Sequence, residues 1–177
     1  EDLKKLIIPL LFEQALAITV GMADTVMISS AGEAAVSGVS LIDMFNNLII
    51  SVLAALATGG AVVTSQFLGA GKKEDACKSA KQLIVSSVCI TIGISILVMV
   101  FCNGIISLFF GKIEADVFHN AVIYMMISAL SFPFLALYNS CAALFRSMGN
   151  SQITLKVSVV ENIINIGGNA LGVYVLG

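Results

Sequence analysis

Apolar residues run through this chain in long blocks, and the polar residues gather in short clusters between them. From Leu83 to Phe110 and from Ala121 to Phe145 no charged residue occurs, and each stretch exceeds the roughly 20 residues a helix needs to cross hydrocarbon. Leu6 to Ser30 and Ala34 to Leu68 are comparable blocks, with Glu13 and Asp24 inside the first and Asp43 near the start of the second. A fifth block runs from Thr154 to Gly177 and carries Glu161. Strands of an outer-membrane barrel alternate with period two over about ten residues, and these blocks do not. The pattern predicts an all-α polytopic membrane bundle with transmembrane helices near 6–30, 34–68, 83–110, 121–145 and 154–177.

The connections agree with that division. Ser29-Ser30-Ala31-Gly32 links the first two helices tightly. Gly69-Ala70-Gly71-Lys72-Lys73 ends the second, and a charged helical stretch follows to Gln82. Gly111-Lys112 closes the third, and Ser147 to Ser151 separates the fourth from the fifth. Pro133 lacks a backbone donor in mid-helix and is expected to kink the fourth span, with Gly59-Gly60 bending the second.

Composition removes the soluble alternative. With 58% hydrophobic and 11% charged residues the chain has too little polar material to face water, since soluble domains are about a quarter charged. The net charge of -2, without a basic stripe interleaved with aromatics, gives no sign of a nucleic-acid partner. Charge placement sets an orientation instead. Lys4, Lys5, Lys72, Lys73, Lys78, Lys81, Arg146 and Lys156 collect on one side and only Lys112 on the other, a positive-inside pattern. The expected protein is multi-pass in the plasma (inner) membrane, with its N-terminus cytoplasmic. Lys4-Lys5 before an apolar run resembles a signal peptide, but Glu13 interrupts the run. The missing initiator Met and the stop after Leu176-Gly177 read as a cropped chain. Cys77, Cys89, Cys102 and Cys141 show no paired spacing, so neither a structural disulfide nor a bound metal cofactor is expected.

The informative residues are the acids inside the spans. Each ionised carboxylate near the bilayer centre costs about 2.5 to 3.5 kcal/mol on insertion scales. Glu13, Asp24, Asp43 and Glu161 are so placed, and no Lys or Arg within the spans is expected to pair with them. Such acids hold a proton or meet water and cations. Asp24 follows Glu13 by about three helical turns, so both share a face of the first helix with Gly21. In the fifth helix Glu161, Asn165 and Asn169 form one polar stripe at i, i+4 and i+8. Asp24 and Asn169 both fall in the outer half of the membrane, roughly 6 to 9 Å from its midplane. Asp43, Asn46 and Asn47 make a second polar patch, read as cavity lining, and Glu13 and Glu161 are candidates for an ion path. Asparagines also serve as hydrogen-bonded glue between membrane helices, whereas an acid is expensive in that role. An enzyme is disfavoured: there is no HExxH motif, no buried histidine and no nucleophile–base pair.

These residues also carry a resemblance. Ile8-Pro9-Leu10, Gly21-Met22-Ala23-Asp24-Thr25-Val26-Met27, Gly32 and Ala34-Ala35-Val36-Ser37 resemble the first helices of the multidrug and toxic compound extrusion (MATE) family. Val63-Thr64-Ser65-Gln66-Phe67-Leu68-Gly69-Ala70-Gly71, Leu144-Phe145-Arg146-Ser147-Met148-Gly149-Asn150 and Asn162-Ile163-Ile164-Asn165 continue the likeness in order along the chain. The resemblance implies twelve helices in two six-helix lobes, of which this chain would be the N-terminal lobe through most of its fifth helix. It implies export of organic, often cationic compounds by antiport with H+ or Na+, with the lipid bilayer and the C-terminal lobe as partners. It places the coupling cation at Asp24, assisted by Asn165 and Asn169. Some relatives carry an acid where this chain has Asn169, which leaves H+ and Na+ both open. A flippase for lipid-linked saccharides and a passive ion channel are the alternatives. A flippase calls for a strongly cationic cavity, which these spans do not offer.

Overall fold

The computed structural model describes the backbone of residues 2–29 and 32–174, and the side chains of residues 7–23, 25–29 and 32–167. Five helices follow one another: α1 Asp2–Ser29, α2 Glu33–Gly69, α3 Lys73–Phe110, α4 Ala115–Ser147 and α5 Ser151–Tyr174. The polar clusters of the sequence become the connections. Gly71 and Gly149 take positive φ, 76° and 79°, at the ends of α2 and α4. There Lys72 N–H reaches back to Phe67 O (3.0 Å) and Asn150 N–H to Phe145 O (2.9 Å), satisfying carbonyls that the helix end would leave bare.

The middle helices are longer than the spans read from hydropathy. α2, α3 and α4 have 37, 38 and 33 residues, so at 1.5 Å per residue each is about 50 Å or longer, against about 30 Å of hydrocarbon. The excess is polar turns continuous with the span. The charged stretch before Gln82 forms the first turns of α3 itself. Helical dihedrals continue through Gly59-Gly60 in α2 and through Pro133 in α4, so neither site interrupts its helix. The departure lies in α3, at Phe101 (φ -103°, ψ 16°), two residues before Asn103-Gly104. Gly60 has a packing role: a methyl there would overlap the Leu83 side chain of α3.

The packing divides the bundle in two. α2, α3 and α4 pack on one another, α1 packs chiefly on α5, and the two groups touch less. Among the described residues, two apolar cores lie inside the α2–α3–α4 group. One holds Ile42, Val98, Ile106, Met125 and Phe132, and the other Ala57, Ala61, Leu83, Ala143 and Leu144. α2 and α4 approach closely at Gly38, which sits against Val117 and Ala121 of α4. Outward faces are apolar, with Leu108 82% and Phe134 72% exposed, as surfaces that meet lipid should be. Among the described residues, α1 from Ile7, α2, α3 and α4 are long and apolar enough to span a membrane. α5 carries Lys156, Glu161, Asn162 and Asn165 within its described part, which accounts for its lower apolarity.

Candidate functional site

The seam between the two helix groups holds the polar chemistry. A cavity of about 400 Å³ opens there, lined by Gly21, Thr25 and Ile28 of α1, Ser40 and Asp43 of α2, Tyr124 of α4 and Asn165 of α5, among others. A second cavity of about 420 Å³ shares Asp43, Tyr124 and Asn165 and continues along Asn46, Asn47, Ser128 and Ser131. Their common wall is therefore a carboxylate, a phenol and a carboxamide drawn from three helices.

Local geometry explains how α2 and α4 build that wall. Asp43, Asn46, Asn47 and Ile50 recur at i, i+3, i+4 and i+7, one face of α2. Tyr124, Ser128, Ser131 and Leu135 recur in the same manner on α4. The Tyr124 hydroxyl donates to Asp43 Oδ1 at 2.9 Å, and Asn46 Nδ2 donates to Ser128 Oγ at 3.1 Å. Asn46 Oδ1 is buried and has no hydrogen-bond partner among the described residues. Carboxylate, amide and hydroxyl oxygens around an accessible cavity suit a hard cation or a proton.

A second polar cluster lies elsewhere on the seam. Arg146 Nη1, in the last turn of α4, donates to Glu13 Oε1 of α1 at 3.3 Å. Glu13 is buried, and its Oε2 has no partner among the described residues. Tyr138 of α4 lies beside Ser158 of α5, within the fields of Glu13, Glu161 and Arg146. This corrects the expectation of an unpaired acid for Glu13. Arg146 ends a charge-free stretch and reads as a loop residue, but it is still helical. Side chains on a helix lean toward its N-terminus, which here is back into the bundle.

The structure thus sorts the predicted residues into two places. Asp43, Asn46, Asn47 and Asn165 share the cavities, while Glu13 and Glu161 belong with Arg146 and Tyr138. Asp24 and Asn169 lie on α1 and α5, but their side chains are outside the described residues. Gly59, Gly60 and Pro133 line neither cavity. Tyr124, Ser128 and Arg146 were missed by the sequence reading. The polar stripe at i and i+4 within an apolar helix was the available signal for the first two.

The MatE family model matches residues 9–171. The chain is 31% identical to "Uncharacterized transporter YisQ" of Bacillus subtilis (strain 168), over 94% of this chain and 36% of that protein. It is 25% identical to "Probable multidrug resistance protein NorM" of Thermotoga maritima, over 94% of this chain and 35% of that protein. Among solved structures, a MOP superfamily transporter from Pyrococcus furiosus superposes with a TM-score of 0.90 at 20% identity, covering 99% of this chain and 38% of that one. A MATE structure in complex with MaL6 gives a TM-score of 0.92, at 20% identity and with 99% and 39% coverage. At that identity the likeness shows the fold. The chain spans little more than a third of the curated relatives it matches, 36% and 35%.

Proposed function

This chain belongs to the MatE family, and from that membership we propose that it is the N-terminal lobe of a cation-coupled antiporter exporting organic, often cationic compounds. The observation that carries the reading is the seam cavity. α1, which bears the family's Asp24 motif, and Asn165 of α5 contribute to the same 400 Å³ space. Gly21, Thr25 and Ile28, from the same stretch of α1, line that space. In this reading Asp24 binds the coupling ion, H+ or Na+, with Asn165 and Asn169 assisting. The C-terminal lobe supplies the other half of the substrate path, and the N-terminus is cytoplasmic in the inner membrane.

Coupling follows from differential affinity. An ion shifts the balance between inward- and outward-open states only by as much as it binds one state better than the other. A site on the seam between two packing groups meets that requirement, because movement of α1 and α5 against α2–α4 changes its walls. The cavities' described lining holds Asp43 and no Lys or Arg, which supports a cation-handling site over a saccharide-phosphate flippase.

The test uses the full-length parent protein in vesicles with a fluorescent organic cation and imposed H+ or Na+ gradients. Wild type is expected to export along one gradient, and Asp24→Asn, inserted at normal levels, to fall to the background of empty vesicles. Dissipative ion flux without coupled export by wild type would reject the antiporter in favour of a channel.

A further inference from the structure

Asp43 is not required by packing. α2 and α4 already meet through Ile42, Met125, Ala129 and Phe132, a core without polar atoms in its side chains. A carboxylate within a span costs about 2.5 to 3.5 kcal/mol, whereas side-chain hydrogen bonds between membrane helices return about 0.6 kcal/mol on average. The Tyr124 bond therefore leaves most of the cost uncompensated. Its geometry instead holds the carboxylate at the wall common to both cavities. One turn further along α2, Asn46 Oδ1 is a buried acceptor without a donor among the described residues.

We propose that Asp43 is a second exchangeable-cation site, whose carboxylate takes up and releases a monovalent cation, H+ or Na+, with Tyr124 as its positioning residue. The inference rests on the coupled-transport reading and adds a carboxylate on α2 to the one that reading places on α1. With H+, the carboxylate becomes a neutral acid and still accepts the Tyr124 hydrogen bond. With Na+, Asp43 and Asn46 Oδ1 offer oxygen ligands of the hard type such an ion needs. Among the described residues, few titratable or charged groups from neighbouring helices share the cavities with Asp43. α4 presents Tyr124, α5 presents the non-titrating Asn165, and α3 contributes no residue to either cavity. α1 carries Asp24, whose side chain lies outside the described residues.

The experiment is infrared difference spectroscopy on the purified full-length protein in lipid, read in both the carboxylic C=O and the carboxylate stretching regions. One arm changes pH in choline buffer, and the other adds Na+ at fixed pH. A carboxyl band, C=O in the pH arm or carboxylate in the Na+ arm, is expected that disappears in Asp43→Asn, persists in Asp24→Asn, and shifts in Tyr124→Phe because that variant loses the hydroxyl donor. The arm in which the band responds identifies the cation. Asp43→Glu, which keeps a carboxylate, is expected to retain a displaced band and guards against misreading an unfolded Asn variant. Unchanged difference spectra in Asp43→Asn, in both arms, would overturn the proposal even where vesicle export stays coupled. An Asp43 band in a protein that shows no coupled export would keep the cation site and reject the antiporter.

Discussion

Replacing Arg146 with alanine destabilises this protein by about 3 to 5 kcal/mol, the range found when one partner of a buried ion pair is removed, whereas Glu13→Gln costs under about 1 kcal/mol. The asymmetry follows from where the two charges end. The Glu13 side chain is 11% exposed and the Arg146 side chain 32%. Without Glu13, Arg146 sits in the last turn of α4 and extends its long side chain toward water. Without Arg146, the buried Glu13 carboxyl group has no other cation among the described residues at hydrogen-bonding distance. The average membrane hydrogen bond, at about 0.6 kcal/mol, is too small to produce such a loss, so uncompensated charge dominates. The double variant Arg146→Ala with Glu13→Gln is expected to recover most of the stability. Thermal unfolding of the purified variants in detergent checks this, and equal losses in the two single variants would remove the pair from its proposed role.

Gly38→Leu is expected to prevent assembly of the α2–α4 interface, and Gly38→Ala to cost about 1 to 3 kcal/mol by overpacking. A Cβ at residue 38 would stand 3.0 Å from Ala121 N and Val117 O and 3.1 Å from Asn120 Cβ. Two of those atoms belong to helical backbone and cannot move without α4 moving. At Gly60 a methyl would overlap Leu83, but what it meets is the end of a leucine side chain, which can rotate. Gly60→Ala should therefore be milder, and Gly93→Ala nearly neutral, because nothing lies within 4 Å of its Cβ position. The ranking can be read from unfolding midpoints. Gly60→Ala proving worse than Gly38→Ala would mean that the α2–α4 contact yields more easily than its backbone geometry indicates.

Much of the fold was legible because a bilayer leaves few options. Charge-free blocks longer than a membrane crossing must be helices, and glycine-marked polar clusters must join them. Helix ends were less legible. Hydropathy stops where water begins, but a helix does not, so α3 starts at Lys73 and not at Leu83. The kink at Phe101 lies inside an unbroken apolar run, whereas Pro133 and Gly59-Gly60 attracted attention and leave their helices continuous. At the site, Asp43, Asn46, Asn47 and Asn165 were found because polar residues within apolar spans stand out. Their partners were not, since tyrosine and serine are common in membrane helices and pairing across 81 and 82 residues of sequence leaves no local trace. Arg146 was lost for a different reason: its position at the border of a span made it look like a residue in water.

The pairing of α1 with α5 also constrains how the protein is made. α1 leaves the ribosome before the other four helices yet packs chiefly on the last of them, α5, and Glu13 waits for an arginine 133 residues downstream. At synthesis rates of about 5 to 20 residues per second, that delay is roughly 7 to 27 s. During it α2, α3 and most of α4 enter the membrane and can close their own apolar cores, while α1 has neither its helix partner nor its counter-ion. The Glu13–Arg146 pair, and with it the docking of α1 on the rest of the bundle, can therefore close only after the end of α4 has emerged.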